Sequence, residues 1–202
     1  GLVRTAVQDA TTALVTADLT IAERVISGDA RIDELTKEIE QRSFQLLARQ
    51  APVAGELRTV VAVLRMSYSL DRMGDLAAHI AKIARLRYPE VAAPEPVADQ
   101  IKQMAETADS MIATAITTLE NRDAEAAAGL ATADSKMDEL RSDQFHLLLS
   151  DDWEYGVEKA VDTALLGRYY ERIADHAVAM GARTIYIVTG EAPEGENWPS
   201  SF

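Results

Sequence analysis

The heptapeptide DARIDEL (29–35) returns as DSKMDEL (134–140), and DRMGD (71–75) returns as ERIAD (171–175). A chain that repeats itself in this way folds as two like units, so each half must make structural sense alone. Within the halves, apolar residues step by threes and fours. Val63, Met66, Leu70, Met73, Ala77, Ile80 and Ala84 form one amphipathic stripe, and Ile32, Leu35, Ile39 and Leu46 a less complete one. No segment alternates convincingly as a strand. The β-like run TIYIVTG (184–190) reads as the end of a last helix, stopped by Gly190. PEVAAPEP (89–96) interrupts the pattern near mid-chain, since proline does not fit inside a regular helix.

The predicted fold is all-α: two tandem antiparallel three-helix bundles related by internal duplication. The helices are expected over 1–16, 18–49 and 53–88, then 97–120, 122–149 and 154–188. That divides the chain into a first repeat (1–88), a linker (89–96), a second repeat (97–190) and a flexible C-terminal tail (191–202), whose Trp198 could dock on a neighbour. The repeat offset falls from 105 to 100 across QAPVAG and SDDWEYG, so loop and helix-end lengths absorb the difference. At offset 105 Gly1 lies opposite Glu106, whereas the second copy's first helix is expected from Val97, so about eight or more residues of the first helix are expected ahead of Gly1.

Composition narrows the function. At 202 residues and 48% hydrophobic, the chain can bury a sound core. It has no cysteine, which excludes disulfides and thiolate metal sites. No window approaches the roughly 18 apolar residues of a membrane span and no secretory signal is visible, so a cytoplasmic location without membrane insertion is expected. A net charge of −13 argues against nucleic acid and against anionic membrane surfaces. The charge is uneven, with 13 acids and 12 bases up to Pro96 but 20 acids and 8 bases after it. The acidic half is either a solvated surface or a means of facing a different partner or gathering cations.

Nine pairs of acids stand four residues apart, and six of them recur at repeat-equivalent positions. Asp29 and Asp75 are equidistant from Pro52, as are Asp33 and Asp71; Asp134/Asp175 and Asp138/Glu171 share a midpoint between Glu154 and Tyr155. If each hairpin folds antiparallel about those points, four carboxylates meet at one level across adjacent helices, twice. Acids one turn apart repel by a few tenths of a kcal/mol on an exposed helix, and more near a core. Either bases such as Arg72 and Arg172 neutralise them or cations bind. All-oxygen donors favour Mg²⁺, Mn²⁺ or Fe, with Zn²⁺ admissible.

At these residues the sequence resembles the PhoU family of bacterial regulators of phosphate uptake and phosphate signalling. The family signature is close to ERIGDHAxNIAE on the third helix of each half, with an E(D)xxxD motif on the helix before. Here the copies read DRMGDLAAHIAK (71–82) and ERIADHAVAMGA (171–182), preceded by DARID (29–33) and DSKMD (134–138); GELRTVVAVLR (55–65) resembles the opening of the family's first-half third helix. Asp71 replaces the usual Glu, Leu76 the His and Ala174 the Gly, while His79 and Ala179 take the Asn position. The resemblance implies a non-enzymatic cytoplasmic adaptor, without catalytic residues, that self-associates as a homodimer. It implies metal ions held by Asp29, Asp33, Asp71, Asp75, Asp134, Asp138, Glu171 and Asp175. It implies contact with a sensor histidine kinase and with the ATPase subunit of the phosphate ABC transporter, repressing the phosphate-starvation response.

Two other classes remain open. A carboxylate-bridged metal store or di-iron protein calls for repeated Glu-x-x-His motifs, but only Asp143–His146 approaches one, and His146 reads as a surface or interface residue. A metal-free helical interaction module would use the acids for solubility or for basic partners. Nucleophile motifs and glycine-rich phosphate loops are absent. The six methionines fall at helical spacing and read as core filler; of Tyr169 and Tyr170, one must point away from the core.

Overall fold

The computed structural model describes residues 1–192. Its described residues form α1 (Leu2–Thr16), α2 (Leu19–Gln50), α3 (Ala54–Arg87), α4 (Glu95–Asn121), α5 (Ala124–Leu148) and α6 (Gly156–Thr189), without a strand. The tail from residue 193 on, Trp198 included, lies outside the described residues.

The duplication extends to single turns. α1 ends on Ala17 in the left-handed region (φ 51°), and Asp18 then caps α2 by accepting the Ile21 N–H at 2.9 Å. In the second copy Arg122 takes the left-handed residue (φ 53°) and Asp123 accepts the Ala126 N–H at 3.0 Å. A side-chain cap of this kind contributes about 1 kcal/mol, and the tight turn sets each pair of helices antiparallel.

The helix ends explain the changed offset. At offset 105 Leu148 corresponds to Ser43, so α5 stops about two turns before the equivalent of α2's end at Gln50. The loop that follows, 149–155, is longer than 51–53 and recovers part of that length. α4 starts at Glu95, two residues earlier than the sequence suggested, because Pro96 falls in its first turn, where a missing N–H is harmless. α6 ends as expected: Gly190 (φ 82°) donates its N–H to the Tyr186 carbonyl at 3.0 Å.

Each bundle packs its three helices on one another, and the two bundles join through α3 against α6 and α1 against α4. Along the α3–α6 contact Tyr68 meets His176, His79 meets Tyr169 and Arg87 meets Asp162. The α6 number falls as the α3 number rises, so these helices run antiparallel. The pseudo-twofold relating the copies passes near Met73 and Ile173, both fully buried. All six methionines are buried, as is Tyr170, whose hydroxyl lies 2.8 Å from that of Thr11, whereas Tyr169 turns to the seam. Leu46, assigned to the apolar stripe of α2, is exposed.

Ion pairs tie the bundles together. Arg87 spans Asp162 and Glu158, donating from Nη2 to Asp162 Oδ1 at 3.1 Å, and Asp162 is only 4% exposed. On the opposite contact Arg4 grips Asp109 with two bonds of 2.7 Å, supported by Gln8 at 2.9 Å. With α1 and α4 joined behind, the α2/α3 and α5/α6 seams are left on the face that carries the acids.

Candidate metal centre

In the first bundle Asp29 and Asp33 lie one turn apart on α2, and Asp71 and Asp75 one turn apart on α3. Gly74 lets the two helices approach: a Cβ there would stand 2.9 Å from Asp29 Oδ1 and 3.1 Å from Ile32 Cδ1. That same Asp29 oxygen is enclosed and has no hydrogen-bond partner. Burial raises the Asp29 pKa, and the nearby charges of Asp75, Asp33 and Asp71 raise it further against the opposing pull of Lys82. The four acids thus share one electrostatic neighbourhood. The Thr36 hydroxyl lies 3.2 Å from Asp71 Oδ1 and 3.0 Å from the Asp33 carbonyl; Arg72 donates to Asp75 at 2.8 Å.

The second bundle repeats the arrangement. Burial raises Asp134, and the charges of Asp175, Asp138 and Glu171 add to it. Asp175 is raised by burial, then by Glu171 and Asp138, with Arg168 and Arg172 opposing. Of the two bases that the sequence offered as examples, Arg72 pairs with Asp75, whereas Glu171 is paired by Arg168 at 2.7 Å and by Arg141 at 3.4 Å rather than by Arg172. Arg141 was missed. It reaches across from α5, stacks on Phe145 at 4.0 Å and donates to Gln144 Oε1 at 2.9 Å. Its three-residue spacing from Asp138, one turn along α5, was the available signal.

As the side chains stand, no three acids or histidines among the described residues converge closely enough to hold an ion. The donor chemistry nevertheless fits one. Each cluster offers four carboxylates on two adjacent helices at one level, and Asp29 contributes an enclosed oxygen with nothing to accept from. An all-oxygen donor set of this kind suits hard cations. The histidines do not belong to it: His176 faces Tyr68 (6.4 Å between ring centres) and His79 faces Tyr169 (5.4 Å), both on the α3–α6 seam. An apolar cleft of about 200 Å³ lined by Leu2, Ile32, Leu35, Ile39, Met73 and Met180 contains no acid.

Fold and site together define a duplicated three-helix-bundle protein with one carboxylate cluster in each half. Comparison with known proteins is consistent at every level. The PhoU domain model matches residues 1–84 and again 101–184. The chain is 43% identical over 201 residues to the phosphate-specific transport system accessory protein PhoU homolog 1 of Mycobacterium leprae, covering 100% of this chain and 90% of that one. It is 44% identical over 193 residues to PhoU homolog 2 of Mycobacterium tuberculosis, covering 96% and 91%. The crystal structure of PhoU from Pseudomonas aeruginosa superposes with a TM-score of 0.89 at 27% identity, covering 95% of this chain and 92% of that one. That of the phosphate transport system regulatory protein PhoU from Streptococcus pneumoniae gives 0.85 at 27%, covering 94% and 89%. The chain belongs to the PhoU family. Among its described residues no helix is long and apolar enough to cross a membrane.

Proposed function

We propose that this chain is a non-catalytic, metal-binding adaptor that restrains phosphate uptake and the phosphate-starvation response when phosphate is plentiful. Its family membership and the accessory-protein names of its relatives support the regulatory part. In this reading it works at the cytoplasmic side as a homodimer, contacting a sensor histidine kinase and the ATPase subunit of the phosphate ABC transporter.

One observation carries the metal part: an enclosed Asp29 oxygen with no donor, set against three other acids; Asp134 likewise stands among three acids. Uncompensated like charges near a core destabilise a fold, and a bound cation turns that cost into affinity. Mg²⁺, Mn²⁺, Fe or Zn²⁺ would be held by Asp29, Asp33, Asp71 and Asp75 in one half and by Asp134, Asp138, Glu171 and Asp175 in the other. The Arg72–Asp75 and Arg168–Glu171 pairs favour a second reading, a metal-free interaction module whose acids are neutralised internally.

The test is complementation of a bacterium lacking its own family member, read by phosphate uptake and by a starvation reporter in phosphate-rich medium. The adaptor reading expects the intact chain to restore repression and to retain the transporter ATPase in pull-down. Unrepressed uptake with the protein well expressed would refute it. Full repression by a variant with Asp33, Asp75, Asp138 and Asp175 all changed to Asn would favour the metal-free reading.

A further inference from the structure

The far end of the second hairpin leaves an apolar strip uncovered. On α5 and its cap, Arg141, Phe145 and Leu149 follow one another at four-residue spacing; on α6, Val157, Val161 and Leu165 do the same, and Arg168 continues their line. Arg141 and Arg168 both reach Glu171, one from each helix, so the two lines open onto one face. Gln144 against Gly167 fixes the register, which sets Phe145 about level with Leu165 and Leu149 about level with Val161. All five apolar side chains are exposed, Leu149 by 82% and Val157 by 81%. They lie beyond the carboxylate cluster, towards the turn of the hairpin.

The rim of this strip is acidic. Asp143, Asp151, Asp152, Glu154 and Glu158 are all exposed, and residues 142–165 carry six acids against one base. The equivalent end of the first hairpin, 37–65, carries three acids against five bases. The two ends share a fold and differ in the sign of their charge, so they suit different partners.

Five large apolar side chains on adjoining turns of two helices form a contiguous patch of the kind that marks an interaction surface. Adjacent antiparallel helices leave a groove between them, and a further helix laid in it can present residues at i, i+3, i+4 and i+7 to both. We propose that the groove formed by Phe145, Leu149, Val157, Val161 and Leu165 docks a basic amphipathic helix of a partner protein, whose apolar stripe covers the strip while its lysines or arginines meet the acid rim. The proposal rests on the adaptor reading and assigns partner contact to the end of the second bundle, apart from the carboxylates that would hold metal. An anionic membrane is disfavoured as the occupant, since the same acids repel it.

The probe is a fluorescein-labelled helix of leucine and lysine, about 18 residues long, with its leucines at i, i+3, i+4 and i+7. It is titrated with the intact chain and followed by anisotropy. Saturation at one peptide per chain, with Kd near about 10 μM, is expected, weakening as salt is raised. The same leucine stripe on a glutamate background should not bind, nor should a leucine–lysine peptide with its stripe scrambled. Leu149→Lys and Val161→Lys should each weaken binding at least about tenfold, whereas Phe44→Lys, at the end of the first hairpin, should leave it unchanged. All three side chains are exposed, so the variants are expected to fold; circular dichroism checks this. In the complementation strain Leu149→Lys should lose repression. Absence of saturation, equal binding of the scrambled peptide, or binding unchanged in both strip variants overturns the proposal. Self-association of the intact chain that Leu149→Lys abolishes in sedimentation would assign the strip to a second copy and also overturns it. Full repression by both strip variants overturns it while leaving the adaptor reading intact. Failure of the intact chain to repress refutes the adaptor reading alone, and the peptide titration then decides the surface by itself.

Discussion

The carboxylate of Asp29 rests in the gap left by Gly74, its Oδ1 2.9 Å from where a Cβ would stand. Helix α2 can therefore press an acid directly onto α3. The second copy has Ala174 at this position, fully buried, and Asp134 is still held among its acids. The two clusters are equivalent in plan without being identical in fit, so they can be perturbed one at a time.

Gly74→Ala should shift the first cluster alone. Alanine is about 1 kcal/mol better than glycine inside a helix, which offsets the crowding of Asp29 and Ile32, so stability should change by less than about 1 kcal/mol. Metal bound per chain should fall by the first bundle's share. Chemical denaturation and metal content, measured together, check both halves of this expectation.

Gly167→Ala should behave differently. Its Cβ would fall 2.0 Å from Gln144 Oε1 and 2.7 Å from its Cδ, and Gln144 is fully buried, so a packed side chain must shift. Overpacking of this kind costs about 1–3 kcal/mol, so the denaturation midpoint should drop clearly. Gln144→Ala in the same chain should recover part of the loss.

Much of this architecture was legible in the repeat. DARIDEL/DSKMDEL and the symmetric distances from Pro52 and from Glu154–Tyr155 place the acids at matching heights, because an antiparallel hairpin conserves distance from its turn. What escaped was contact between sequence-distant surfaces. Spacing puts Arg141 one turn from Asp138, but nothing in one dimension says that it crosses to Glu171 or that His176 turns towards Tyr68. The caps at Asp18 and Asp123 were readable in principle, since both follow the end of one periodic stretch and open the next.

Arg87→Met should loosen the joint between the bundles. It strands the Asp162 carboxylate, 4% exposed, without its cation, and breaking such a pair costs roughly 3 kcal/mol. Adding Asp162→Asn should return most of that stability, because the uncompensated charge is then gone. Thermal melting of the single and double variants measures the difference.

Acid should act on the metal-free protein with two opposite signs. Asp29, Asp134 and Asp175 have raised folded-state pKa values, so their charged forms are disfavoured by folding. Their contribution is fully favourable below the ordinary aspartate value of 3.8 and is lost as pH rises through their folded values. Asp109, lowered mainly by its bond from Arg4, stabilises above that ordinary value and ceases to as pH falls through its folded value. Burial lowers His79 and His176, so they oppose folding as pH falls through 6.5; melting temperature should rise only where the pH then falls through the folded aspartate values, and fall again under stronger acid. Changing Asp29 and Asp134 to Asn should raise neutral-pH stability by about 0.5 kcal/mol for each acid and flatten the rise.

The most direct measurement is elemental analysis after dialysis against Mg²⁺, Mn²⁺, Fe²⁺ and Zn²⁺ in turn, comparing the intact chain with the variant carrying Asn at 33, 75, 138 and 175. The account predicts at least one ion retained per bundle by the intact chain and none by the variant. Retention of no ion by either, or of equal amounts by both, would contradict it and leave the repeated acids as partner-facing or structural groups.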